Sequence, residues 1–380
     1  MIKVLELFAG IGACSKALEN LGIKHEIVDA VEIDKFAIQA FNAIHGTNFG
    51  PQDITKWDKD IECDLIMHGS PCQDFSIAGK QAGGDEGSGT RSSLMYETLR
   101  IVEKLRPKYV IWENVKNLLS DKHRHNFDAY LEAMEGIGYT NWYQVLNAKD
   151  YGVPQNRERV FTVSISDRYI IDNDLLGVED LYKFPERQPL TKRLKDILED
   201  KVDDKFYLSD KQVTSLINSN YDQNKRFYST EGLSPTISTM GGGQRQPKII
   251  QRPRGKNNGG VHDISPTISS SKWQYNNVMV EPYIIASRGR GENNAQHLEP
   301  NFSGTSNTLT SVQKDNYVAT PYRIRKLTPR ECYRLMGFDD ASFERASKAV
   351  SNTQLYKTAG NSIVVNVLQA ILANLIKEDK

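Results

Sequence analysis

The chain has 380 residues, 39% hydrophobic and 25% charged, with 48 lysines and arginines against 48 aspartates and glutamates. That suits a soluble protein of two domains, or of one large domain with an insertion, and no apolar run approaches the ~18 residues of a membrane span. Four cysteines, Cys14, Cys63, Cys72 and Cys332, lack C-x-x-C spacing, which argues against a disulfide framework and a zinc site; His123 and His125 alone make no metal site, so no metal is expected.

From Ile2 to about Asp167, short apolar runs alternate with helical stretches. Strands are expected over Ile2–Phe8, His25–Ile33, Asp64–His68, Tyr109–Trp112 and Arg159–Ile165. Helices are expected over Ala13–Leu21, Lys35–Phe41, Leu94–Leu105 and Asn126–Gly136. This alternation predicts an α/β domain with a doubly wound parallel sheet. After about Pro185, Gly, Asn, Ser, Thr and Pro become frequent and short β-branched runs replace helical periods, predicting a strand-rich unit to about Tyr322. A weak repeat runs through it: LSPTIS from Leu233, ISPTIS from Ile264 and TSNTLT from Thr305. From Leu327 the chain returns to helix, and an apolar stripe from Ile363 to Leu375 predicts packing against the first domain. The expected organisation is therefore 1–185, an insertion over 186–322, and a return over 323–380.

Charge is uneven although the total balances. Residues 241–330 carry 13 Lys/Arg against 5 Asp/Glu, whereas 171–210 carry 7 against 11. A basic segment in a neutral protein is a local footprint that suits phosphates. The start, Met1 to Leu7, is too short and too quickly charged for a signal peptide, so a cytoplasmic location is expected.

The residues bearing chemistry cluster at the carboxyl ends of the expected strands, where such sheets bind ligands. Phe8-Ala9-Gly10-Ile11-Gly12-Ala13 links the first strand to the first helix, and its glycines allow close approach to the backbone. Glu32 ends the second strand, placed to accept both hydroxyls of a ribose. Asp53-Ile54 follows the next turn, placed to accept from an adenine amino group and pack on its ring. No Gly-Lys-Ser/Thr is present to cradle a triphosphate, so a nucleoside cofactor without a phosphate chain fits best, S-adenosylmethionine above all. After the third strand comes GSPCQDFS, Gly69 to Ser76. Cys72 within it is a candidate nucleophile, although a free thiol titrating near ~8.5 needs a favourable field or a polarised substrate.

These segments resemble the cytosine-C5 DNA methyltransferases, bacterial and phage type. FAGIGA, GSPCQDFS, Glu113-Asn114-Val115, Gln155-Asn156-Arg157-Glu158-Arg159, RKLTPRECYRLMGF from Arg325 and GNSIVVNVL from Gly360 occur in the family's order and span the chain except the insertion. The resemblance implies a Rossmann-like methyltransferase domain with an inserted target-recognition domain. It implies transfer of methyl from S-adenosylmethionine, leaving S-adenosylhomocysteine, to C5 of a cytosine flipped out of duplex DNA. The implied catalytic residues are Cys72 as nucleophile on C6, Glu113 toward N3 and the exocyclic amine, and Arg159 toward O2, with Arg157 beside it. The implied donor pocket comprises Phe8, Gly10, Ile11, Gly12, Glu32, Ile33, Asp53, Ile54, Pro71, Leu94, Asn361 and Ser362. Ala13 departs from the family's usual glycine and tightens the loop. For DNA, the candidates are Gln73, Ser76 and Arg91 around the target and Arg245, Arg288, Arg290 and Asn307 in the insertion. The glycine-rich stretch from Ala78 to Thr90 is expected to be a mobile lid. A monomer is expected, with a restriction endonuclease as candidate partner. Two other readings share these residues: an RNA cytosine methyltransferase and a catalytically silent DNA-binding regulator.

Overall fold

The computed structural model describes residues 1–71, 91–175, 181–208, 228–229, 233–234, 236–237, 248–251, 283–289, 296–301, 316–319 and 323–376. The chain divides into two units. The first comprises Met1–Ile197, Glu231–Gln246 and Pro329–Lys380; the second comprises Leu198–Thr230 and Pro247–Thr328.

The first unit is built on six strands: β1 Ile2–Leu7, β2 His25–Val31, β3 Leu65–His68, β4 Tyr109–Val115, β5 Tyr139–Asn147 and β6 Glu158–Ser166, in the order β2-β1-β3-β4-β6-β5. β2, β1, β3 and β4 run parallel, as the alternation predicts. The rest of the sheet does not: β6 lies antiparallel to both β4 and β5, so the sheet is mixed. Between β5 and β6 there is only a short 3-10 turn, Ala148–Tyr151, and a few further residues, with no helix to carry the chain across the sheet. β5 escapes a pattern search because it is an edge strand with six of its nine residues partly or fully exposed.

Around the sheet lie α1 Ala13–Asn20, α2 Lys35–His45, α3 Met95–Leu105 and α4 Arg124–Gly136, followed by the short α5 Asp167–Asp172. α2 shows how local sequence sets an element. Asp34 caps it by accepting the Phe36 N–H at 2.9 Å, Gly46 ends it in the left-handed region, and Ala37, Ile38, Ala40, Phe41 and Ile44 supply a buried face at helical spacing. A core cluster beneath the sheet joins Leu5, Leu7, Ile66, Trp112, Phe127 and Tyr130, among others.

The C-terminal part forms α6 Pro329–Leu335, α7 Asp340–Ala349, α8 Asn352–Asn361 and α9 Val365–Leu375. Asn352–Leu375 is apolar enough to cross a membrane, yet Ser362–Val364 divide it and Val365, Val367, Leu368, Ile371, Leu372 and Leu375 are buried, as in a core helix. α9 packs on α1 as expected. Ion pairs of Lys16 with Asp339 (2.7 Å) and Lys357 with Asp34 (2.5 Å) tie this end to the N-terminal helices.

Boundaries at 185/186 and 322/323 are not where the contacts divide the chain. Residues up to Ile197 belong to the first unit because Leu194 and Ile197 are buried and Arg334 donates to the Ile197 carbonyl at 2.9 Å. Part of the expected insertion also returns to it: Ser234 pairs with Gln155, donating to the Pro154 carbonyl and accepting from the Asn156 N–H, both at 2.9 Å. The second unit carries two small sheets. One is formed by β9 Tyr283–Gly289 between β10 Gln296–Asn301 and β11 Asn316–Ala319; the other by β8 Lys248–Gln251 between β7 Tyr228–Ser229 and β12 Arg323–Lys326. Strand-rich content there agrees with the composition.

Candidate active site

At the carboxyl end of β1 the chain enters a strained loop. Phe8 has φ +53°, a conformation rare for an aromatic residue, and Gly10 (+56°) and Gly12 (+77°) share its sign. Gly12 has no room for a side chain: a Cβ there would stand 2.1 Å from His45 Nε2 and 2.8 Å from Phe41 Cε2. Burial pushes the His45 imidazole down to about 4, so the neutral ring donates Nε2–H to the Ile11 carbonyl at 3.0 Å. Gly12 cannot cap α1 with a side chain. That task falls to Glu6 of β1, whose buried carboxylate accepts the Ser15 N–H at 3.0 Å and the Ser15 hydroxyl. Burial pushes the Glu6 carboxyl up to about 7.

Glu32, just past β2, faces this loop. Its Oε2 accepts the Gly10 N–H at 3.0 Å and its Oε1 the Asp34 N–H at 2.8 Å, leaving a further lone pair on each oxygen for a diol; burial holds its carboxyl above the usual range. The neighbouring Ile33 is 71% exposed, an unusual position for a large apolar side chain, and suits the face of a ring. Asp53 Oδ1 accepts from the Thr55 N–H and hydroxyl, which hold its carboxyl below the usual range, and Ile54 behind it is buried. A backbone loop open at Gly10, the carboxylates of Glu32 and Asp53 and an exposed aliphatic side chain fit a nucleoside donor.

The second cluster lies between β4 and β6. β4 extends to Val115, three residues beyond expectation, so Glu113 sits within the strand rather than after it. It stands opposite Phe161, and Arg159 opposite Val115, so the strand period of two puts both charged groups on one face. Arg159 Nε lies 3.0 Å from Glu113 Oε1, with both side chains largely enclosed. A cleft there is lined by Glu113, Arg157, Arg159, Phe161, Ile363 and Val364, among others. Arg157 shares it but does different work. Its buried guanidinium donates to the carbonyls of Ile237 (3.0 Å), Ser362 (2.9 Å) and Gly360 (3.4 Å), tying three distant segments together. Through these contacts Arg157 clamps the wall of the cleft. Sequence reasoning missed Glu6, His45 and Gln155, whose Nε2 donates to the Leu335 carbonyl at 2.7 Å and whose Oε1 accepts the Ile237 N–H at 3.1 Å; only Gln155 had a signal, its place in PQNRERV.

Of the remaining candidates, Pro71 ends the described stretch after β3, and Leu94 precedes α3. Asn361 is exposed at the end of α8 and Ser362 buried just beyond it. Cys72, Gln73, Ser76, the lid from Ala78 to Thr90, Arg245, Arg290 and Asn307 lie outside the described residues, as do the side chains of Arg91 and Arg288.

A family model for C-5 cytosine-specific DNA methylases matches residues 2–377. The chain belongs to this family. Among the methylases it resembles is the orphan methyltransferase M.SPRI of Bacillus phage SPR, 35% identical over 99% of this chain and 97% of that one. Another is the type II methyltransferase M.Bsp6I of Bacillus sp. (strain RFL6), 32% identical over 99% of both chains. Among solved structures, the DNMT2 of Spodoptera frugiperda covers 99% of each chain with a TM-score of 0.63 at 19% identity, so it shares the fold. The chain is thus a C5 cytosine methylase with a Rossmann-like α/β fold.

Proposed function

We propose that this methylase transfers the methyl group of S-adenosylmethionine to C5 of a cytosine flipped out of duplex DNA, by way of a covalent Cys72–C6 adduct. The Glu113–Arg159 pair carries the reading: a carboxylate and a guanidinium, enclosed and 3.0 Å apart, offer complementary contacts to the N3/amino edge and to O2 of a cytosine. Attack by the Cys72 thiolate on C6 forms the S–C6 bond while the C5–C6 π pair shifts to C5 and, through C4, toward N3, where Glu113 stabilises the charge. After methylation the C5 proton leaves to a base and the S–C6 bond breaks, restoring the thiolate and the aromatic ring. S-adenosylmethionine supplies the electrophilic methyl, and Glu32, Ile33, Asp53 and the Phe8–Gly12 loop would hold it. Arg91, Gln73 and Ser76 are the candidates for contact around the target base, and Arg245, Arg288, Arg290 and Asn307 those for contact with the rest of the DNA. The protein acts as a monomer in a bacterial or phage-infected cytoplasm. Relatives named orphan methyltransferases favour action without a cognate endonuclease.

Labelled methyl transfer to mixed-sequence duplex DNA and to transfer RNA, followed by deamination sequencing, tests the whole reading. Transfer to C5 of duplex cytosine by the native chain and none by Cys72→Ala is expected. Persistent C5 methylation by the variant, or transfer to RNA alone, would overturn it.

A further inference from the structure

The segment joining β3 to Cys72 is held by β4 in a way the reaction itself does not require. After His68 the chain passes Gly69, Ser70 and Pro71. Ser70 is buried, and its Oγ accepts the indole Nε1–H of Trp112 at 3.0 Å and the amide of Asn114 at 3.4 Å; the same amide lies 3.4 Å from the Ser70 carbonyl. Trp112 and Asn114 flank Glu113 in sequence, so they share the opposite face of β4. On the cleft side Gly69 faces the carboxylate: a Cβ there would lie 3.7 Å from Glu113 Oε2. Three consecutive residues of β4 thus grip the segment from behind with the outer two and present Glu113 in front.

The grip is rigid because Trp112 cannot turn. Its ring stacks on His68 (centroids 5.8 Å apart, planes 10° apart) and on Phe127, and Tyr130 lies 4.1 Å away; the Tyr130 hydroxyl in turn meets His68 Nε2 at 2.9 Å. The indole N–H is directed to Ser70.

We propose that Ser70 is a positioning residue, locked by Trp112 and Asn114, that fixes where the chain leaves β3 relative to the Glu113 carboxylate and so sets the approach of the nucleophile to the base. This rests on the Cys72 and Glu113 roles proposed above. A nucleophile displaced by a fraction of an ångström loses rate while ground-state binding survives.

The test uses the full chain, S-adenosylmethionine and duplex DNA in which 5-fluorocytosine replaces cytosine, since fluorine at C5 cannot leave as a proton and the adduct persists. Formation of a denaturation-resistant protein–DNA complex is followed in time. Ser70→Ala should slow it about tenfold or more, with binding of S-adenosylhomocysteine and of DNA within twofold of native and an unfolding midpoint lowered only by the Trp112 indole N–H that loses its buried acceptor. Trp112→Phe should slow it similarly, and the double variant should be no slower than the slower single one, because both remove one contact. Native rates for Ser70→Ala, multiplying effects in the double variant, or a slowing matched by equal losses of donor-analogue binding and stability would each overturn the proposal. Failure of the native chain to form any adduct, or adduct formation by Cys72→Ala, would instead sink the underlying mechanism.

Discussion

Replacing Glu6 by glutamine isolates the one buried carboxyl that the N-terminus of α1 depends on. The Glu6 side chain is 3% exposed, its partners are the Ser15 N–H and hydroxyl, and burial raises its carboxyl from 4.5 to about 7. An acid whose folded value is raised binds its proton more tightly when folded. Its contribution is therefore complete below about pH 4.5, declines as pH rises toward 7, and is lost above that. A shift from 4.5 to about 7, at ~1.4 kcal/mol per pH unit, amounts to ~3 kcal/mol across the interval. Glutamine keeps an acceptor for Ser15 and cannot ionise. The difference in unfolding free energy between Glu6→Gln and native protein should move by ~3 kcal/mol in favour of the variant between pH 4.5 and pH 8. Urea titrations at a series of pH values, followed by emission of Trp57, Trp112 and Trp142 in the first unit, measure it. A difference that stays constant over that range would refute the argument that burial controls this group.

Other outcomes follow from the same geometry. Arg159→Ala removes the partner of an enclosed carboxylate and a proposed contact to O2, so kcat should fall about a hundredfold or more with donor-analogue affinity preserved, measured by steady-state transfer and calorimetry. Gly12→Ala places a methyl 2.1 Å from His45 Nε2 at φ +77°, and should weaken S-adenosylhomocysteine binding at least ~10-fold while lowering the unfolding midpoint. Arg157→Met strips donors from the carbonyls of Ile237, Gly360 and Ser362, and should destabilise the first unit by about 2–4 kcal/mol in urea; a loss of activity without a loss of stability would refute this structural role and leave Arg157 in the catalytic group.

Legibility in the sequence followed the range of the interactions. Loop and strand-end residues such as Gly10, Gly12 and Glu32 could be read because a tight turn after an apolar run, and a carboxylate one strand later, are local patterns with local consequences. Glu113 and Arg159 were readable only through family motifs, since no local rule says that residues 46 apart will face each other. Arg157 shows the limit. It sits two residues from Arg159 in the same motif and lines the same cleft, yet its hydrogen bonds go to carbonyls 80 to 205 residues away. Composition likewise marked a strand-rich stretch but could not show that Ser234 and Ile237 turn back to Gln155 and Arg157.

The sequence by itself determined the parallel β/α core, the glycine loop after β1, the helical return of the C-terminus and the residue types available for chemistry, because hydrophobic period and turn residues act within a few positions. Only the tertiary structure decided the reversed direction of β6, the capping of α1 by Glu6, the different partners of Arg157 and Arg159, and the grip of Trp112 and Asn114 on Ser70. Each of these is a hydrogen-bonding or pairing choice between segments distant in the chain, and burial, which sets the cost of leaving such groups unpaired, exists only once the segments have packed.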